Sequence, residues 1–244
     1  MIGAIYVEMI AFTIFGALSF VFYDRKGQRL IRRDFIDDAL FFLLSVIFYG
    51  KITGFYLSHI GAPPFARMIS RQPLWLQSMG VLVIYDFIQY WLHRGFHSGR
   101  FWPFHAVHHS AEEMDVLTSF RIHPLNFIPY SGIPTVVLLM AGFTPEAFAS
   151  VAGFNFFMGC LTHANLNWTF GPFRFVLASP MFHRWHHAIV EGSLSRNYAP
   201  NFPVWDLLFG TYYLPVGDTP KAYGAPEVPR HFVGQLAHPF AAQS

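Results

Sequence analysis

Histidine is concentrated in three short segments of this chain, at spacings that suit metal binding. Of the 13 histidines, two stand at i and i+4 in the segment 93–97, and the segments 105–109 and 183–187 each carry three at i, i+3 and i+4. On a helix these offsets bring the imidazoles onto one face, within reach of a shared ion. The predicted metal ligands are His93, His97, His105, His108, His109, His183, His186 and His187, with His163 as a ninth.

The number of these histidines predicts more than one metal ion. Imidazole binds zinc, copper, iron and nickel, so the ligand type alone does not identify the metal. Nine ligands exceed what one tetrahedral or octahedral ion can use, whereas two ions could share them and keep open positions. Structural zinc sites, by contrast, are closed and four-coordinate. We therefore expect a pair of redox-active ions.

Two residues outside this set are candidates for a supporting or catalytic role. Asp86 lies seven residues before His93, and metal-bound histidines usually donate their second ring N–H to a carboxylate, a carbonyl or water. We predict that Asp86 orients a ligand in this way, the alternative being a hydrogen bond that packs two helices. For His123 two alternatives stay open, an extra metal ligand and an ordinary hydrogen-bonded histidine.

These histidines must be positioned by a largely apolar chain. Hydrophobic residues make up 53% of it and charged residues 12%, whereas soluble domains contain about 25% charged residues. A membrane-spanning helix needs about 20 mostly apolar residues. Five stretches approach that length, namely Ile2–Tyr23, Ala39–Ile60, Pro73–Leu92, Leu125–Phe143 and Pro145–Leu166. We predict an all-α, multi-pass transmembrane helical bundle of about four to five spans, with a helical His-rich metal domain.

The basic residues predict the orientation of this bundle. Lys and Arg concentrate in cytoplasmic loops, and the first loop contains Arg25, Lys26, Arg29, Arg32 and Arg33. With that loop in the cytoplasm and five passes, all the histidine segments fall on the cytoplasmic side, where they can meet. The expected protein is integral to a bacterial inner membrane or to the endoplasmic reticulum.

The chain reads as one domain, and several classes of protein are excluded. No linker divides residues 1–244; the core covers about 85–215, and the Pro- and Gly-rich part from 215 to 244 is predicted to be an extended arm packed on the metal domain. The single cysteine, Cys160, leaves no disulfide framework. The net charge of +2 and the absence of a basic, aromatic-interleaved pattern give nucleic acid binding no support.

The histidine segments belong to a longer ordered series of motifs. The series consists of Asp86, Tyr90, Trp91, His93, Arg94 and His97; then Phe104, His105, His108, His109 and Ser110; then Arg121, His123 and Pro124; then His163 and Asn165; and finally His183, His186, His187, Asn197, Tyr198, Trp205, Asp206, Phe209, Gly210 and Thr211. This series resembles the sterol desaturase and fatty acid hydroxylase superfamily of membrane di-iron oxygenases. The resemblance covers about Tyr85 to Phe240, and the order of its motifs makes it specific.

The resemblance implies a non-haem site with two iron ions, O2 as cosubstrate, and electrons from a separate donor protein such as a ferredoxin or a haem cytochrome with its reductase. The implied activity is hydroxylation of a C–H bond in a sterol, fatty acyl chain or related lipid, with desaturation at the same centre as the alternative. Two departures, Asp115 and Asn126, stand where members often carry Asn and Glu, which leaves the position attacked open.

A different class of function also fits a histidine-rich membrane protein, namely metal binding or transport. A transporter would be expected to place its ligands near the middle of the membrane, in broken helices. Here the histidine segments lie where the predicted spans end. This placement favours the enzyme.

Overall fold

The structure is a computed structural model that describes residues 2–29, 31–61, 63, 66–189 and 195–241. Within these residues the regular structure is helical, apart from one isolated antiparallel bridge between Ala188 and Tyr223. The α-helices are α1 (Ile2–Leu18), α2 (Phe35–His59), α3 (Arg67–Ser70), α4 (Leu74–Phe96), α5 (Trp102–His109), α6 (Pro124–Ala141), α7 (Pro145–His163), α8 (Pro180–His186), α9 (Val204–Leu208) and α10 (Phe232–Ala241). The all-α prediction is confirmed for the described residues.

Each of the five predicted apolar stretches forms one long helix, respectively α1, α2, α4, α6 and α7. Proline occupies the first position of α6 and of α7. A backbone N–H at this position has no acceptor within the helix, so a residue without that N–H is tolerated there. Gly142 ends α6 in the left-handed conformation at φ 100°, and this turn leads directly into α7. A Cβ at Gly142 would lie 2.2 Å from the carbonyl oxygen of Ala66, so only glycine fits there.

The long helices alternate in direction, so that one end of each lies at the histidine segments. The backbone N–H of Arg25, beyond the end of α1, donates to Asn165 beyond the end of α7. Asp38, in the first turn of α2, pairs with Arg121 just before α6. At the opposite end, the N–H of Thr144 between α6 and α7 donates to the side chain of Gln77 near the start of α4. Sequence order alone therefore brings the ends of five helices to one region.

Two of these helices, α2 and α6, are long and apolar enough to cross a membrane. A signal sequence or the core helix of a soluble protein can have the same length and composition, so these two helices by themselves are weak evidence for a membrane. A stronger indication is the outer surface of the long helices, where large apolar side chains are exposed, among them Ile14, Leu43, Ile47, Leu76, Ile133, Val137 and Met140.

The segment after residue 215 departs in part from the predicted extended arm. Apart from the bridge at Tyr223, it lacks regular structure as far as residue 231, because its many prolines and glycines prevent a helix. In this stretch Ala225 and Val228 pack against Ala106 and Val107 of α5. Beyond that point the chain forms α10, whose Phe232 stacks edge-on against Phe41 of α2 at 4.8 Å. The apolar residues of this last stretch follow helical spacing, which accounts for the difference.

Candidate metal centre

The structure brings all nine predicted histidines together at one end of the bundle. They form two groups, and within each group the possible ligand nitrogens lie within 4.8 Å of one another. The first group contains His93, His97, His105, His109 and His186; the second contains His108, His163, His183 and His187. All are buried except His97, which is partly exposed. Two compact sets of imidazoles of this kind match the expectation of two ions.

The two groups interleave along the helices that carry them. On α5, His105 and His109 belong to the first group while His108 belongs to the second. On α8 and the residue after it, the division is reversed, because His186 belongs to the first group and His183 with His187 to the second. Residues at i and i+4 lie above one another on a helix, whereas neighbours point about 100° apart. Each of these two helices therefore supplies both groups.

Backbone carbonyls fix the ring orientation of four of these histidines. The Nδ1–H groups donate to carbonyl oxygens as follows: His93 to Tyr198 at 2.7 Å, His186 to Arg196 at 2.6 Å, His163 to Gly159 at 2.8 Å and His108 to Arg121 at 3.3 Å. A carbonyl can only accept, so Nδ1 carries the proton in each ring. In the neutral form, the Nε2 of each ring is then a free lone pair, as metal ligation requires.

Facing lone pairs are the clearest sign that a cation belongs in the second group. The Nε2 atoms of His108 and His163 are 3.2 Å apart, although both rings already donate from Nδ1. No proton is then available between them, and two lone pairs at this distance repel unless a positive ion lies beside both. In the first group, the buried Nε2 of His93 has no hydrogen-bond partner among the described residues. Both groups thus fit a bound metal.

Burial keeps these rings in the neutral, ligating form. Desolvation lowers the pKa of His93 to about 4, from an ordinary value of 6.5. Burial, together with the neighbouring imidazoles, lowers the pKa values of His97 and of the histidines on α5 and α8 well below 6.5. At neutral pH the rings outside the long apolar stretches are therefore uncharged and able to bind a metal without first losing a proton.

Asp86 supports this centre by a different route from the predicted one. Its carboxylate accepts from the backbone N–H groups of Asn201 and Phe202, at 3.0 and 3.1 Å, and from the indole of Trp205 at 2.9 Å. These contacts replace the predicted direct bond to a histidine ring. Because Asp86 is fully buried in α4, it anchors the segment 196–206 to the helix that carries His93.

A second buried carboxylate, Asp206, holds the same segment nearer the histidines. It accepts from the N–H groups of Tyr198 and Ala199, at 2.8 and 2.9 Å, and from the hydroxyl of Thr211 at 2.6 Å. Asn197 adopts the left-handed conformation at φ 56°, and its side-chain amide donates to the carbonyls of Phe182 and Tyr213. The carbonyls of residues 196 and 198, which orient His186 and His93, thereby become rigid acceptors.

Sequence reasoning did not assign this role to Asp206 or to Asn197. Both stand in the motif series, at Asn197-Tyr198 and Trp205-Asp206, but only the resemblance marked them. Their contacts join parts of the chain that show no common periodicity. An available signal was the carboxylate itself, since a lone Asp within an apolar segment of this kind requires buried partners.

His123 lies outside both histidine groups. Its Nδ1 accepts from the N–H of Leu125 at 3.2 Å, which caps the start of α6, and its Nε2 donates to the carbonyl of Leu236 in α10 at 3.2 Å. The ring also packs against Phe104 and Phe240. The prediction of an extra ligand or catalytic group at His123 is not met by this geometry, which matches the ordinary hydrogen-bonded alternative.

Buried ion pairs tie the start of α2, and the residues just before it, to the centre. Arg121, whose carbonyl orients His108, directs its guanidinium to Asp38 and Asp34. Arg32 pairs with the same Asp38 and with Asp115, the latter at 2.7 Å. The side chains of both arginines are only 1% exposed, so these bonds are shielded from water.

A separate ion pair holds α8. Arg184, between His183 and His186, donates from Nε to Asp24 at 3.0 Å and from Nη1 to the carbonyl of Ala164 at 3.2 Å. The hydroxyl of Tyr223, in the segment before α10, donates to the same Asp24 at 2.9 Å. Asp24, in the segment after α1, and Tyr223, in the C-terminal part, therefore hold α8, which carries His183 of the second group.

Comparison with known proteins gives one family and several relatives. Residues 78–211 match the sequence model of the fatty acid hydroxylase family. The chain is 32% identical over 171 residues to ornithine lipid hydroxylase OlsE of Rhizobium tropici, an alignment covering 69% of this chain and 52% of that protein. It is 30% identical over 132 residues to alkylglycerol monooxygenase of Homo sapiens, covering 52% and 28% respectively. It is 29% identical over 162 residues to very-long-chain aldehyde decarbonylase CER1 of Arabidopsis thaliana, covering 58% and 25%.

The chain therefore spans about half the length of the first of these relatives and less than a third of the other two. The matched region contains every histidine of both groups. No solved structure is significantly similar to this one.

Proposed function

Because the chain belongs to the fatty acid hydroxylase family, we propose that it is an integral membrane oxygenase that hydroxylates a lipid C–H bond at a histidine-ligated pair of iron ions. The single observation that carries this proposal is the pair of buried histidine groups, with lone pairs facing each other between His108 and His163. The family membership favours iron over the other metals that imidazole binds, since ligand type alone leaves the choice open.

Each histidine group would hold one ion. The first offers five imidazoles and the second four, so an iron with up to six positions keeps at least one free for O2 or water. When bound, the irons supply the redox chemistry: with O2, two electrons and two protons, the C–H bond becomes C–OH and the second oxygen atom leaves as water.

The protein residues orient the ligands and exclude water. The carbonyls of Tyr198 and Arg196, in the segment that Asp206 holds, fix the tautomers of His93 and His186. The carbonyl of Arg121 does the same for His108. Burial of nearly every ligand ring keeps bulk water away from a strongly oxidising site, which limits side reactions. Electrons would come from a separate donor protein, a ferredoxin or a haem cytochrome with its reductase.

The proposed location is a membrane, with the metal centre on the cytoplasmic side. Large apolar side chains exposed on α1, α2, α4 and α6 support this location, since extensive apolar surface on a protein marks a site that contacts a membrane or a partner. The five long helices alternate in direction, which suits a multi-pass bundle. The loop rich in Arg and Lys between α1 and α2 lies at the histidine end, where the positive-inside rule puts the cytoplasm.

A lipid substrate is supported by the relatives, which are named for ornithine lipid, alkylglycerol and very-long-chain aldehyde substrates. A metal transporter is less well supported, because all nine histidines lie at one end of the long helices.

The test is the metal content of the full chain after iron-replete expression, by elemental analysis with Mössbauer spectroscopy. We expect about two irons per chain and about one in each of the single variants His186→Ala and His187→Ala, because these neighbours serve different groups. His231→Ala, at an exposed histidine outside both groups, is the matched control. Stoichiometric zinc without iron, or no metal at all, would overturn the proposal. Incorporation of ¹⁸O from ¹⁸O2 into a lipid alcohol then tests the reaction.

A further inference from the structure

A cavity of about 460 Å³ opens at the histidine end of α1, between that helix and the segment that follows it. This volume falls within the range of about 300–1,000 Å³ that is usual for small-molecule sites. The cavity is separate from both histidine groups, although its inner wall includes Asn165, two residues after His163. None of its lining residues has a role in the proposed oxygenase chemistry.

The two sides of this cavity differ in chemistry. The α1 side is largely apolar and contains Phe12, Gly16 and Phe20. The opposite side carries three cations, Arg25, Lys26 and Arg29. A ligand that suits both sides has an apolar chain and an anionic head.

The positive charge of this cavity is only partly offset by nearby acids. Lys26 and Arg29 are exposed and have no ion-pair partner among the described residues. The one carboxylate in the lining, Asp115, is already paired with Arg32 at 2.7 Å. The third cation, Arg25, lies 3.8 Å from Asp24, a carboxylate that also pairs with Arg184 at 3.0 Å, and it donates to the carbonyls of residues 220 and 221.

A buried acceptor adds a second requirement for the ligand. Gln28, in the same lining, donates from its amide to the carbonyl of Met114 at 2.9 Å, while its Oε1 is buried without a partner among the described residues. Such an atom costs free energy unless a donor reaches it. A head that carries both a phosphate and a hydroxyl would satisfy the cations and this oxygen together.

The surroundings of the cavity indicate where such a ligand comes from. On α1 and just beyond it, Ile10, Ile14, Phe20 and Val21 are 57%, 48%, 65% and 69% exposed. Exposed apolar surface next to a cluster of Arg and Lys is the arrangement expected at the boundary between acyl chains and anionic lipid heads.

We propose that this cavity binds a membrane lipid with an anionic phosphate head, with the phosphate beside the three cations and the upper acyl chain along the α1 side. The site goes beyond the proposed function, because it holds such a lipid whether or not that lipid is the one oxidised.

The test is direct binding to the full chain purified in detergent, with bound lipid counted by native mass spectrometry. The probe is dioctanoyl phosphatidylglycerol, with dioctanoyl phosphatidylcholine and inorganic phosphate in parallel. We expect phosphatidylglycerol to bind more tightly than both, since phosphatidylcholine has no net charge and phosphate has no chain. The double variant Lys26→Gln/Arg29→Gln should weaken phosphatidylglycerol binding about 30-fold, given the usual contribution of each basic residue.

The matched control is the double variant Arg33→Gln/Arg100→Gln, which removes the same charge from exposed positions outside the cavity. It should change the affinity less than about three-fold, because neither residue lines the cavity and solvent and salt screen exposed charges that do not touch the ligand. Gly16→Leu, which fills the apolar side, should weaken the lipid and leave phosphate unaffected. Equal losses in both double variants, or unchanged binding in the first, would overturn the proposal. Iron content is measured in every preparation, so a failure of the lipid site is distinguished from a failure of the metal centre.

Discussion

Replacing Asp206 with asparagine exchanges one carboxylate oxygen for an amide nitrogen in a fully buried position. The carboxylate accepts three hydrogen bonds, from the N–H groups of Tyr198 and Ala199 and from the hydroxyl of Thr211. An amide keeps one acceptor oxygen, and its NH2 group then faces a backbone N–H. At least one of the two backbone bonds must break, and the segment that carries the carbonyls of Arg196 and Tyr198 must move.

The magnitude follows from the number of bonds affected. Hydrogen bonds to a charged group contribute about 1.5–3 kcal/mol each, and a buried donor left without an acceptor costs about 1–3 kcal/mol, so Asp206→Asn should lower the free energy of unfolding by about 3 kcal/mol. The loss of oriented carbonyls behind metal-bound histidines typically weakens metal binding about 10–100-fold. Both carbonyls serve the first group, at His93 and His186. The second group takes its carbonyls from Gly159 and Arg121 and should keep its ion.

The assay is iron retained per chain after dialysis against increasing chelator, together with thermal unfolding. The variant should release about one iron at roughly 10–100-fold lower chelator strength than the wild type and retain the other. Glu113→Gln makes the same chemical change at an exposed position and should alter neither quantity. Equal loss of both irons, or retention of both in a correctly folded variant, would refute the assignment of these carbonyls to the first group.

Three further predictions test other parts of the structure. Asp24→Asn leaves the buried charge of Arg184 without its partner and should lower the free energy of unfolding by about 3–5 kcal/mol, seen as a lower midpoint in thermal unfolding; an unchanged midpoint would contradict a buried pair. Burial lowers the pKa of His93 to about 4 from 6.5, so between these values the unfolded, metal-free chain binds more protons than the folded one. Its stability should therefore fall as pH decreases from 6.5 towards 4, by up to about 3 kcal/mol from this residue alone, and a flat profile in urea titrations would oppose this. Gly142→Ala forces a side chain into the left-handed region against the carbonyl of Ala66 and should cost more than about 3 kcal/mol, measured as a loss of folded protein, whereas the open position Gly153→Ala should not.

The helices and the approximate set of ligands were predictable from local patterns. Apolar runs of about 20 residues fixed the five long helices, and the spacings within 105–109 and 183–187 placed each set of histidines on a helix end. Gly142 and Pro145, which stand where two such runs meet, are residue types that commonly end one helix and begin the next. In each case the information lies within one or two helical turns.

Local patterns did not predict how the histidines divide into two groups or which residues hydrogen-bond to the segments around them. The neighbours His186 and His187 point in different directions, but which group each of them joins depends on where the other helices end. Asp86 bonds to the N–H of Asn201, 115 residues away, instead of to a histidine on its own helix. Contacts over such distances depend on the packing of the whole bundle, which leaves no periodic signal in the sequence.

The interleaving of the two groups on α5 and α8 has a consequence for how the protein loads metal. An ion in one group fixes the backbone of both short helices, and these same helices carry half or more of the ligands of the other group. The histidines of the second group have then already lost conformational entropy before the second ion binds. Occupancy of one group therefore raises the metal affinity of the other. Metal uptake by the wild-type protein should therefore be positively cooperative, and a variant that has lost the ion of one group should keep the other ion but bind it less tightly than the wild type does.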